Sequence, residues 1–220
     1  YSVAGSGTFN NTGKILAKDG NAIVFDCSTS KNAISVVNIM GSSEIKGNIT
    51  ALNDALAEIN LGYTADVNGN KTSTLDNAFK LNYNNDMSGK ITLNNKAGET
   101  TFNKSTIEIQ NLNVDAGSKI LGTADITAVN IQNNGDITAN SLEVGKDSTF
   151  AGNYILNTSS TTLNSAAVLG SFTENKLTIN NGNFYAYANH VNLINSPFLI
   201  SDLTLNNAYL TMMNSNINNM

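Results

Sequence analysis

Three aspartates, Asp115, Asp125 and Asp136, recur at close intervals in one stretch of the chain. Carboxylates brought together on one face can cleave a glycosidic bond, one giving a proton while another, about 6.5–9.5 Å away, activates water. No Asp-Asp pair, Gly-His-Gly or Arg-x-Lys accompanies these three, so they read as solvated turn acids and not as a catalytic set. A second candidate is Asp66-Val-Asn68-Gly-Asn70, which places oxygens at positions one, three and five of a calcium loop. The loop then fails: Lys71 stands where glycine is needed, and Asn77 replaces the twelfth-position glutamate. The reading is a turn. His190, the sole histidine, follows Phe184, Tyr185 and Tyr187, but has no nucleophile or orienting acid in the sequence around it. Cys27 is the single cysteine, so it forms no internal disulfide and belongs to no zinc motif; it reads as a small apolar residue. No residue is assigned a catalytic, cofactor-binding or metal-binding role, and no cofactor is expected.

The composition narrows the partners. All twelve cationic side chains are lysines and the formal charge is -5. Without arginine forks or a net positive face, nucleic acid is not an expected partner. No run of about 18 apolar residues is present to span a membrane as a helix. Charged residues make up 13% of the chain, and the polar remainder is dominated by 39 asparagines with Gly, Ser and Thr behind them. Asn and Gly accept left-handed backbone angles, so this balance favours many turns over long helices.

The elements that must position any site are short. Segments such as "AISVVNI", "GKITLN", "STIEIQNLNV", "ADITAVNIQ" and "DLTLN" alternate apolar and polar residues at period two, and Asn-Gly, Asn-Asn or Ala-Gly pairs separate them. "KLTINN" at 176–181 resembles "DLTLNN" at 202–207. Degenerate self-similarity over about twenty residues points to a solenoid, where a strip of a few residues suffices because the coils above and below complete its core. The fold class expected is all-β: a right-handed parallel β-helix over residues 1–220, read as one segment of a longer chain. Asparagine is expected at its corners, in left-handed conformations, with side chains bonded to the equivalent residue one coil away. One stretch departs from the pattern. "ITALNDALAEINLG", residues 49–62, sets Leu52, Leu56 and Ile59 at helical spacing, so a short helix or looped excursion is expected near residues 50–60. Late in the chain Phe184, Tyr185, Tyr187, Phe198 and Tyr209 gather; facing outward on adjacent coils they would form an aromatic ladder, and facing inward they would be core.

The first fifty residues also carry a family pattern. Asn11, Gly13 and Ile15, then Gly20, Asn21, Ala22 and Ile23, then Ile45, Gly47, Asn48 and Ile49 resemble the Asn-x-Gly-x-Ile, Gly-Asn-Ala-Ile, Ile-x-Gly-Asn-Ile succession of bacterial autotransporter passenger domains. The resemblance implies a right-handed parallel β-helix at the surface of a Gram-negative cell or secreted from it. A C-terminal β-barrel absent from this chain would make the outer-membrane attachment. It implies an adhesin or structural stalk that binds a host or bacterial cell-surface protein or glycan; that no enzyme is expected follows from the missing catalytic constellation and not from the resemblance. A receptor-binding or oligomerising segment of a secreted β-helical toxin is the alternative, followed by a polysaccharide lyase or glycosidase on the same fold. The unpaired ends of an excised solenoid imply end-to-end self-association.

Overall fold

The computed structural model describes residues 6–26 and 33–144 in full, and the backbone alone of strands at 2–4, 150–152, 156–164, 168–169, 173–187, 198–213 and 217–218. Every described element is a strand, and the strands stack into a parallel β-helix.

Three columns of paired strands make its faces. The first runs through 7–11, 34–40, 56–61, 91–95, 111–114, 131–133 and 150–152. The second holds 14–16 and 44–46, then 80–83, 99–102, 119–122 and the strand beginning at Asp136. The third holds 2–4, 24–26, 49–52, 87–89, 107–109, 125–128, 141–144 and 160–163. The chain visits the faces in that order, so each coil lies on the coil before it.

Alternation along each short strand turns one set of side chains inward, and register stacks like on like. Phe9, Val37, Ile59, Leu93, Leu112 and Ile131 form one such column; Ile23, Ile49, Met87, Ile107, Ile126 and Leu142 form another on the third face. All but Phe9 are buried. Each large aliphatic side chain removed from water contributes about 1.5–3 kcal/mol, so a strand with only two inward residues is stable once it has neighbours on both sides.

Neither the short helix nor the looped excursion expected near residues 50–60 forms there. Residues Glu44–Leu52 and Leu56–Ala65 are strands on two faces, joined by a tight turn in which Asn53 and Asp54 take φ of 51° and 61°. Those angles break a helix after Leu52 and send Leu56 and Ile59 onto the next face. Asn and Asp tolerate this conformation better than other side chains. The chain leaves the solenoid a little later instead. Tyr63–Leu75 is a hairpin, antiparallel within itself, inserted between Gly62 and Asp76. The Asp76 amide donates to the Gly62 carbonyl at 2.9 Å, so the two ends of the insertion meet as an ordinary corner would.

Asparagine stacking is present, but on a face and not at a corner. Asn38 Nδ2 donates to Asn10 Oδ1 at 2.7 Å, Asn60 to Asn38 at 3.0 Å, Asn94 to Asn60 at 2.9 Å and Asn113 to Asn94 at 2.8 Å. All five lie in extended strands of the first face. Left-handed angles fall mostly to glycine, and among the described asparagines Asn53 alone adopts one. Gly122 shows why: its φ is 116°, and a Cβ there would sit 2.1 Å from the Phe102 carbonyl oxygen. The coils are packed too closely at this corner for any side chain.

Candidate functional site

The three candidate aspartates are dispersed by the fold. Asp115 lies at the corner between the first and second faces, where Lys96 Nζ approaches its carboxylate at 3.3 Å. Asp125 opens the third face; its Oδ1 accepts from the Ser141 hydroxyl and from Asn140 Nδ2 at 2.7 Å. The serine bond, then the asparagine bond, hold its carboxyl below the usual range. Asp136 opens the second face, Cα-paired with Lys119. Nothing in this arrangement aims the three carboxylates at one point. Among the described residues no group of three His, Cys, Asp or Glu side chains stands close enough to hold a metal ion.

Asp66 is the turn that its spacing suggests. Its Oδ1 accepts the amides of Asn68 and Asn70, each at 2.8 Å, and Oδ2 accepts Asn70 Nδ2 at 3.3 Å. The Asn70 amide is the main cause that lowers its pKa. These bonds close the tip of the hairpin, so the carboxylate is spent on its own loop. Cys27 and His190 fall outside the described residues. Phe184, Tyr185, Tyr187, Phe198 and Tyr209 lie in strands whose backbone alone is described. Register sets Phe184 opposite Leu210, Tyr185 opposite Thr211, Tyr187 opposite Met213, Tyr209 opposite Asn183 and Phe198 opposite Ile217, so none of these five is aligned with an aromatic.

What the rod presents instead is repetition. Beside the asparagine column on the first face runs a second: Asn111 Nδ2 donates to Thr92 Oγ1 and Asn130 Nδ2 to Asn111 Oδ1, both at 2.9 Å. The second face carries charges of alternating sign. Lys14 pairs with Glu44 at 2.6 Å, Lys80 and Lys119 flank Glu99 at 3.5 and 3.8 Å, and Asp136 follows Lys119 in register. Opposite charges on adjacent strands stabilise the pairing, where like charges would oppose it.

The hairpin adds relief to this surface. Lys71 Nζ sits 4.1 Å from the centre of the Tyr63 ring, and the Thr64 and Thr72 hydroxyls bond across the two strands. Val67 at the tip is fully exposed. At the hairpin's base, Leu75 overhangs the corner turns of the next three coils and closes a cleft of about 520 Å³ with Lys96, Asp115, Ala116 and Asn134.

No protein-family model, curated protein or solved structure matches this chain.

The hairpin had a signature in the sequence that period-two reading passes over. An apolar residue followed by Asn recurs at Val37-Asn38, Ile59-Asn60, Leu93-Asn94 and Leu112-Asn113. The asparagines of these pairs are 22, 34 and 19 residues apart, and the long interval contains the insertion.

Proposed function

We propose that this chain is a rigid stalk of a bacterial surface adhesin, holding a polar surface outward against a host or neighbouring cell. The observation that carries the reading is the unbroken stack of coils, tied together through its first face by amides from Asn10 to Asn113, of which Asn38, Asn60 and Asn94 are buried and serve the rod's cohesion. A rod of this kind resists bending because every coil is bonded to both neighbours. It also offers repeated polar groups outward, the half-buried Thr92, Asn111 and Asn130 and the exposed charges of the second face, at the roughly 4.8 Å spacing of stacked strands. Weak contacts repeated along one rigid body add through effective concentration, which suits attachment better than turnover. The autotransporter likeness of the first fifty residues supports placement outside a Gram-negative cell, and the alternating charges of the second face leave no strong field to draw in polyanions.

The test is retention under flow. Beads coated with the fragment are expected to stay on cultured epithelial cells or on bacteria of other strains, and soluble fragment is expected to release them. Retention equal to that of uncoated beads on every cell type would overturn the proposal.

A further inference from the structure

The cleft at the base of the hairpin is concave and chemically mixed, and at about 520 Å³ it is roomier than the hollow of about 260 Å³ beside Lys14, Leu16 and Asn21. Its wall is a stack of three equivalent corner positions, Lys96, Asp115 and Asn134, each donating its backbone amide to the coil before: to Leu61, Asn95 and Val114. Its overhang is Leu75, 45% exposed, with Ala116 as a second apolar patch. Lys96 and Asp115 are bonded to each other and keep 28% and 41% of their side-chain surfaces open, so a charged donor and a charged acceptor lie side by side. Asn134 adds a side-chain amide whose oxygen already accepts from Gln132 Nε2 at 3.3 Å and whose N–H groups are donors.

This combination selects a ligand class. A free anion would find Lys96 already neutralised by Asp115, and a cation would find the reverse. A neutral ring bearing adjacent hydroxyls meets both, because each hydroxyl can accept from the ammonium or donate to the carboxylate, and bonds to charged partners are the stronger kind. The C–H face of the same ring suits Leu75 and Ala116. A volume of about 520 Å³ lies within the span of about 300–1,000 Å³ usual for small-ligand sites. We propose that the cleft takes a neutral hexopyranose unit of a surface glycan, an inference that rests on the adhesive reading and gives it a chemical address.

The test is an NMR titration of the fragment with methyl glycosides of galactose, glucose and mannose, each taken to tens of millimolar. At least one is expected to move the Leu75 methyl signals and the amides of Ala116 and Asn134, and Asp115→Ala is expected to weaken that binding at least tenfold. Asp136→Ala is the control and should bind as the parent does. Asp115→Ala should fold, because the turn is held by the Asp115 carbonyl accepting from Ser118 and not by its carboxylate. If its unfolding midpoint drops, Leu75→Ser, changed on the exposed hairpin, decides in its place. No shift at the cleft with any sugar, or binding unchanged in these variants, would overturn the assignment. Beads that hold to cells while no sugar reaches the cleft would overturn the cleft alone. A sugar bound there by a fragment whose beads never hold would overturn the adhesive reading alone.

Discussion

The coils between residues 91 and 144 and those before them obey the same pairing rules with very different regularity. In the later region Asn94 and Asn113 are 19 residues apart, as are Asn111 and Asn130, and corners are trimmed to the few residues a turn needs. In the earlier region the same face recurs after 28, 22 and then 34 residues. The third face of the first coil is also shifted in register around Asn21. Yet the asparagine column crosses from one region to the other without a gap, from Asn10 to Asn113. What a coil must conserve is the strip that touches its neighbours, and the corners can absorb anything that begins and ends at the same two points. Loop length costs little, about 0.6 kcal/mol for each doubling.

The sharpest way to test this contrast is one substitution made in both regions. Gly122→Ala should cost about 3 kcal/mol or more, since the backbone angle and the Phe102 carbonyl both oppose a Cβ. Gly20→Ala meets only the angle, φ 72°, with open space around it, and should cost about 1–2 kcal/mol. Urea unfolding of the two variants reads the difference, and equal costs would mean that the Phe102 carbonyl yields to the added Cβ. Next comes the shared column. Asn60→Ala leaves the buried Asn38 and Asn94 amides short of a partner each and should cost about 1–3 kcal/mol. Asn113→Ala, at the column's end, breaks one bond and should cost about 1 kcal/mol. Smaller still is deletion of residues 64–74 with a two-residue Asn-Gly turn in their place, which keeps the Tyr63–Leu75 pair and should move stability by less than about 1 kcal/mol. A collapse of the circular-dichroism melt on that deletion would show the hairpin to be part of the core.

The smallest effect is a pH dependence. Asp125 in the folded chain keeps its charge to lower pH than the ordinary 3.8, so its bonds to Ser141 and Asn140 contribute fully above that value. Their contribution fades as pH falls through the depressed folded value. Asp125→Asn should therefore lower the melting temperature slightly at pH 6, by an amount that shrinks as the solution is acidified. A gap that widens on acidification would contradict the assigned partners.

Much of the fold was legible because its signals are local. Period-two strips such as Ile107/Ile109 and Ile126/Ala128, cut by glycine and asparagine, state both the strand and its inward face. The helix expected at 49–62 failed because Leu52, Leu56 and Ile59 satisfy a helical period by accident of a turn between two strands. Only the Asn53-Asp54 pair distinguishes the cases. The cleft was not legible at all. Leu75 and Asn134 are far apart in sequence and meet only because a hairpin rooted in one coil leans beside the corners of later ones. Asp115 was noticed for the wrong reason, as a partner of Asp125 and Asp136, when its partner is Lys96.

The asparagine column carries an arrow. Every amide nitrogen from Asn38 to Asn113 points to the preceding coil, and every amide oxygen from Asn10 to Asn94 points to the following one, so the side-chain dipoles add head to tail. The series thus has a donor end at Asn10 and an acceptor end at Asn113, where the next coil sets Gln132 in the same register position. A coil of reversed orientation would set donor against donor or acceptor against acceptor, so the amides fix the direction in which one coil follows another.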